Sequence, residues 1–212
     1  MIEKAIDTVV PVLPLFAKRY SGVSFDPERR VRPEDLLALA EAARWAPSCH
    51  GDQPWRYIVC DKAANRPAWD AAWNCLLEGN QTWCRAAPVL ILACCDTLFS
   101  KNDKPNAFGA HDTGAASLSL SLQAAALGLM THQMRGFEPD KAYEVFQIPA
   151  RYKPLTMIAL GYQLPEPRLP EAFRERELKA RVRNPLDENF FAGAWGEGLL
   201  QSLSEKQATT AP

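Results

Sequence analysis

Pro88–Cys95 (PVLILACC) is apolar at every position, and this run limits the possible folds more than any other. Side chains alternate between the two faces of a strand, so a strand apolar at both odd and even positions must be covered on each side. The run is far short of the ~20 apolar residues that cross a bilayer. The chain is therefore expected to build a sheet around this segment, with helices above and below.

The flanking patterns supply those helices and further strands. Val31–Ala46 carries apolar residues at Leu36, Leu39, Ala40 and Ala43, a helical stripe. Pro33 lies near its start, Glu34 and Asp35 suit the positive end of the helix dipole, and Pro47 stops it. Trp55–Cys60 reads as a strand and Arg66–Glu78 as a helix bearing Trp69, Trp73 and Leu76. Asp96–Ala110 is polar and irregular, the character of a lid or binding loop. Asp112 or Thr113 can cap a long helix through Leu127, ended by Gly128. Its glycines, alanines and serines permit close packing on several sides, as in a central helix at a subunit interface. Leu129–Met134 and Pro154–Tyr162 read as strands and Ala142–Phe146 as a short helix. Strands separated by helices suggest a mixed sheet covered on both faces.

At 212 residues, 47% hydrophobic and 23% charged, the chain suits one well-buried core. A net charge of −1 argues against a nucleic-acid surface or a polybasic membrane patch. Val9–Ala17 is apolar, but Glu3 and Asp7 precede it and two prolines interrupt it, so a broken helix is expected, not a signal peptide. Six cysteines without C-x-x-C spacing read as buried small hydrophobes in a reducing, cytoplasmic setting. The three histidines lack metal-ligand spacing. Neither G-x-G-x-x-G nor a P-loop is present, and there is no internal repeat. After Gly161 prolines and charges accumulate, and the chain then carries Phe190, Phe191 and Trp195. These aromatics suggest a tail, residues 164–212, that wraps the partner subunit, the whole chain forming a single domain.

Three segments carry phosphate-and-ring chemistry. Lys18-Arg19-Tyr20-Ser21 sets cations beside a hydroxyl, a donor set for a phosphate. Ala46-Pro47-Ser48-Cys49-His50-Gly51-Asp52-Gln53-Pro54-Trp55 is a turn pinned by prolines and kept open by small residues. Arg181-Val182-Arg183 alternates two cations that can reach one anion. Singly, each also fits a surface charge run or a tight turn.

In this order, K-R-x-S-x-x-x-F, A-P-S-x-x-x-x-Q-P-W and R-x-R-x-P resemble the nitroreductase family of flavoproteins, with a further match around His132–Phe137. The resemblance spans about Lys18 to Pro185. It implies an α+β fold, a three-layer α-β-α sandwich on a mixed, mainly antiparallel sheet, assembled as a domain-swapped homodimer. It implies non-covalent FMN at the subunit interface, reduced by NADH or NADPH and reoxidised by an electron-poor small molecule such as a nitroaromatic or quinone, in a ping-pong cycle. By matched position, Arg19, Tyr20 and Ser21 hold the phosphate and ribityl chain, and Arg181 and Arg183 close on the phosphate. Pro47, Ser48, Cys49 and Gly51 line the flavin from the other subunit, and Asn80 reaches the pyrimidine edge. Met134, Arg135 and Gly136 pack on the ring. Three positions depart from the pattern: Val23 where a second basic residue usually stands, Gly51 where asparagine is common, and Arg135 where an acid occurs.

No catalytic side chain is expected, because flavin N5 carries the chemistry. Cys49 and His132 read as a packing residue and a satisfied core histidine in preference to redox or proton-transfer groups. Phe99, Phe108 and the loop between them either cover a substrate or pack on the surface. Two other readings stay open. One is a different flavin chemistry on the same scaffold: dehydrogenation, dehalogenation or flavin cleavage. The other is a non-enzymatic flavin-binding protein, or an interaction module without cofactor.

Overall fold

A computed structural model describes residue 2 and residues 4–210, with side chains described as far as residue 204. The chain divides into two compact units, one built mainly of Val10–Lys179 and the other of Ala5–Val9 with Ala180–Pro212.

The elements of the larger unit run α1 (Pro14–Lys18), α2 (Pro33–Arg44), β1 (Trp55–Asp61), α3 (Arg66–Asn74), α4 (Glu78–Cys84), β2 (Val89–Asp96), α5 (Gly109–Ala126), β3 (Met130–Met134), α6 (Pro139–Phe146), β4 (Tyr152–Gly161) and α7 (Glu171–Leu178). The sheet order is β1-β2-β4-β3. Every described pairing is antiparallel, so within this chain the sheet is not mixed. The physical reason lies in the connection through α5. It joins β2 to β3, which point the same way, but β4 inserts between them in the opposite sense.

The apolar run of β2 lies between β1 and β4 and is buried along its whole length. Leu90, Leu92 and Cys94 face one core with Trp69, Trp83, Met157 and Ala159. Val89, Ile91 and Ala93 face the other with Leu39, Ala116, Leu120, Ile158 and Leu160. Helices α2 and α5 cover that second face, while α3, α4 and α6 supply residues to the first, giving three layers. Each large aliphatic side chain so buried contributes about 1.5–3 kcal/mol. Pro154, which has no N–H to donate, pairs with Cys94 next to the register irregularity at Ala93/Cys94. It also lies beyond the reach of β3, which pairs only with Met157–Gly161.

Two of the expected helices shift. The broken helix of residues 9–17 is helical only over Pro14–Lys18, with Pro14 in the first turn, where a missing N–H costs nothing. The helix expected over 66–78 ends at Asn74, because Leu76 bridges Phe137 and Leu77 N–H donates to Gly136 O, drawing the chain into an extended path. A second helix, α4, follows.

The stretch after Gly161 first returns to the larger unit, where α7 buries Glu177. In the smaller unit α8 (Leu199–Thr210) begins on a side-chain cap, with Asp187 accepting from Leu200 N–H at 2.7 Å and Gln201 N–H at 3.3 Å. Phe191 and Trp195 pack with ring centroids 4.8 Å apart. Among the described residues no helix is long and apolar enough to cross a membrane.

Candidate functional site

The Lys18–Phe25 segment leaves α1 and is held from inside. Residues 24–26 pair with the backbone beyond β4, through Leu164 N–H to Ser24 O at 3.0 Å and Asp26 N–H to Tyr162 O at 2.7 Å. Upstream, the anchors are side chains. His132 Nδ1 lies 2.8 Å from Gly22 O, which makes Nδ1 the donor. Glu177 accepts from Tyr20 Oη at 3.1 Å, from Val23 N–H and from Ser24 N–H at 2.6 Å. Ser21 is exposed and Arg19 half-buried, both suited to a ligand. Tyr20 is different: it is buried and its hydroxyl turns to Glu177, so its side chain serves the protein interior and not the phosphate expected from the sequence. Val23 is also buried in the core, so no surface cation is missing there.

The turn after α2 is backbone-strained. His50, Gly51 and Gln53 have φ of 56°, 68° and 51°. This left-handed region suits glycine and tolerates asparagine, which accounts for Gly51 standing where the family often has asparagine. Clusters of such strain occur where surrounding groups enforce them. Here Asp112, near the start of α5, accepts from Cys49 N–H at 2.8 Å, and Ser48 Oγ accepts from Gln53 N–H at 3.1 Å. On the other side Asp52 accepts from Ser100 N–H at 3.0 Å and Ser100 Oγ at 2.5 Å. The Ser100 hydrogen bond holds the Asp52 carboxyl below the usual carboxylate range. Pro47 and Gly51 are exposed, and Ser48 and Cys49 half-buried.

The 96–110 loop, expected to be irregular, is latched. Leu98 bridges Pro105. Arg151 grips Asp96 at 2.7 and 2.8 Å and Asp103 at 2.8 Å. The loop sets Phe99 edge-on to His50, ring centroids 5.9 Å apart, while Phe108 stays exposed.

At the end of β3, Asn80 and Gly136 come together. Asn80 Nδ2 donates to Gly136 O at 2.9 Å. A Cβ at 136 would meet that amide at 2.5 Å, so glycine is required for the approach. Arg135 is exposed beside it. Met134 is buried in the core, so the surface here is formed by Arg135 and the backbone of Gly136, not by the Met134 side chain. In the smaller unit Arg181 is half-buried and Arg183 exposed, its Nη1 donating to Val182 O at 2.8 Å.

His132 packs on Trp83 with centroids 4.6 Å apart, and burial lowers its pKa. It is a satisfied, neutral core histidine. All six cysteines are free. Burial pushes Cys60 up to about 11 and Cys94 up to about 12, which keeps both as unreactive thiols. No cluster of three or more metal-ligating side chains occurs among the described residues. Sequence reasoning missed Asp52, Asp112 and Glu177. Asp112 read only as a helix cap, and Glu177 lay inside a charged run with nothing to mark it as buried.

Known proteins share this fold. The nitroreductase family profile matches residues 16–162. A solved oxidoreductase containing FMN is 34% identical, covering 90% of this chain and 96% of its own, with a TM-score of 0.81. A putative nitroreductase from Desulfovibrio desulfuricans, solved in complex with FMN, is 25% identical over 89% of this chain and 99% of its own, with a TM-score of 0.67. A putative NADH dehydrogenase/NAD(P)H nitroreductase of Methanothermobacter thermautotrophicus is 30% identical over 140 residues, 64% of this chain and 69% of that protein. The chain belongs to the nitroreductase family.

Proposed function

We propose that this protein is an FMN-dependent NAD(P)H oxidoreductase acting on electron-poor small molecules such as nitroaromatics and quinones. The observation that carries the proposal is the overlap of nearly the whole chain with an FMN-containing oxidoreductase, at a TM-score of 0.81. The residues present fit FMN. Gly136, having no side chain, lets the Asn80 amide reach its carbonyl oxygen, which fixes Asn80 where the pyrimidine edge of the flavin is expected. Arg19 and Ser21 leave the interior as a cation and a hydroxyl, a donor set for a phosphate dianion.

When bound, FMN supplies the redox chemistry, taking hydride from NAD(P)H and giving it to the acceptor. The chain's own residues bind and orient. Arg19 and Ser21 would hold the phosphate, and Arg181 and Arg183 would be further phosphate ligands in the assembled dimer. Arg135 and the backbone of Gly136 would support the ring, and Arg135 would place positive charge beside it. The turn Pro47–Gly51, fixed by Asp112 and Asp52, would line the flavin from the other subunit. Reductant and acceptor would bind in turn, in a ping-pong cycle.

A homodimer is part of this proposal. Leu13, Phe16, Leu37, Trp45, Phe108 and Leu118 are exposed on the larger unit, and Val182, Phe190 and Trp195 on the smaller. Large apolar side chains exposed in such number suit a covered interface. The tail as a wrap around the partner, and one domain per chain, belong to the same picture. Free cysteines suit a reducing cytoplasm.

The enzymatic test is steady-state oxidation of NADH and NADPH with a quinone and a nitroaromatic, and turnover of either acceptor is expected. Bound flavin that is reduced while neither acceptor turns over would point to another flavin chemistry. Arg183→Ala is expected to lose FMN during gel filtration under conditions in which the unaltered protein keeps it. Full retention would make Arg183 a surface charge.

A further inference from the structure

Glu177 is a carboxylate at 1% exposure in the larger unit, and the residues that surround it define its task. Four neutral donors converge on its two oxygens. Oε1 accepts the successive N–H groups of Val23 and Ser24. Oε2 accepts Tyr20 Oη at 3.1 Å and Gln163 Nε2 at 3.2 Å. An ionised carboxylate offers acceptor sites only, so four donors match what it can satisfy. Gln163 is fixed in turn, accepting from Ile2 N–H at 2.6 Å.

Those donors bracket one stretch of chain. Residues 20–24 lie between the end of α1 and the backbone pairing at Ser24–Asp26, held by the hydrogen bonds they donate to Glu177 and the one Gly22 O accepts from His132. Gly22 packs directly against the same carboxylate. A Cβ there would collide with Met130 Sδ and with both Glu177 oxygens.

We infer that Glu177 is the positioning residue of the phosphate-binding arm: by fixing residues 20–24 from below, it presents Arg19 and Ser21 to the FMN phosphate. The inference rests on the FMN reading above. Glu177 does not touch the phosphate, and its charge alone would repel it, so loss of the carboxylate affects phosphate binding in opposite directions under the two roles. As an electrostatic neighbour, its removal would strengthen binding. As a positioning group, its removal weakens it.

The test compares FMN with riboflavin, which shares the ring and ribityl chain but lacks the phosphate. The full-length protein and Glu177→Ala, each stripped of flavin, are titrated with both ligands by flavin fluorescence. The expected result is a loss of FMN affinity of about tenfold or more, the scale of one charge-assisted hydrogen bond, with riboflavin affinity unchanged. Equal losses for both ligands would reduce Glu177 to a general structural residue. No loss, or a gain for FMN, would also overturn the inference. Should Glu177→Ala fail to fold, Glu177→Gln decides. It keeps the volume but puts an N–H₂ where two donors point, and it too must narrow the preference for FMN over riboflavin. If the unaltered protein binds neither flavin, the FMN reading itself has failed.

Discussion

His132 shows how much one side chain can settle. Its Nδ1 bond to Gly22 O and its contact with Trp83 make it an internal brace of the phosphate arm. Burial lowers its pKa in the folded chain, while in the unfolded chain it titrates near ~6.5. Below that pH the unfolded state binds the extra proton more readily, so this contribution to stability is present above about pH 6.5 and is lost as pH falls. Denaturant midpoints measured between about pH 7.5 and 5.5 should decrease, and His132→Gln should flatten that slope. Cys49 gives a second residue-scale prediction. It is half-buried, whereas the other five cysteines are buried. A thiol reagent applied to the protein stripped of flavin should label Cys49 alone, and Cys49→Ser should abolish fast labelling. Fast reaction of a second thiol would contradict the burial.

At the scale of elements, α5 organises the larger unit. Ala116, Ser117, Ala124 and Ala125 are buried, so α2 and the sheet can approach it closely. Ala124→Leu should cost about 1–3 kcal/mol through overpacking. Roughly 2–4 °C of melting temperature per kcal/mol follows for a chain of this size. The small-residue composition of α5 and the unbroken apolar run of β2 were both legible in the sequence because each is a local pattern with one packing consequence. Helix α4 was not. Among Glu-Gly-Asn-Gln-Thr-Trp-Cys only Trp83 and Cys84 are buried, so no apolar stripe announces it. The Asn80–Gly136 pairing was legible only as two separate matched positions, since their contact depends on the chain turning out of α3 at Leu76. The carboxylates that hold the site escaped for a similar reason. Asp52 and Glu177 look like surface charges until the groups that donate to them are brought close in space.

For the molecule as a whole, nearly all of the chain resembles a fold that in one solved relative contains FMN. Large apolar side chains remain uncovered on each unit, including Trp195 at 92% exposure. Sedimentation should therefore find a species of twice 23.6 kDa. Trp195→Glu should weaken that species if the smaller unit docks on a partner. A chain that sediments as a monomer at micromolar concentration would contradict the dimer. The most direct test of the central claim is the flavin content of the purified protein, released by heat and identified. We expect one FMN per subunit. A colourless protein that takes up no FMN when mixed with an excess would contradict the account.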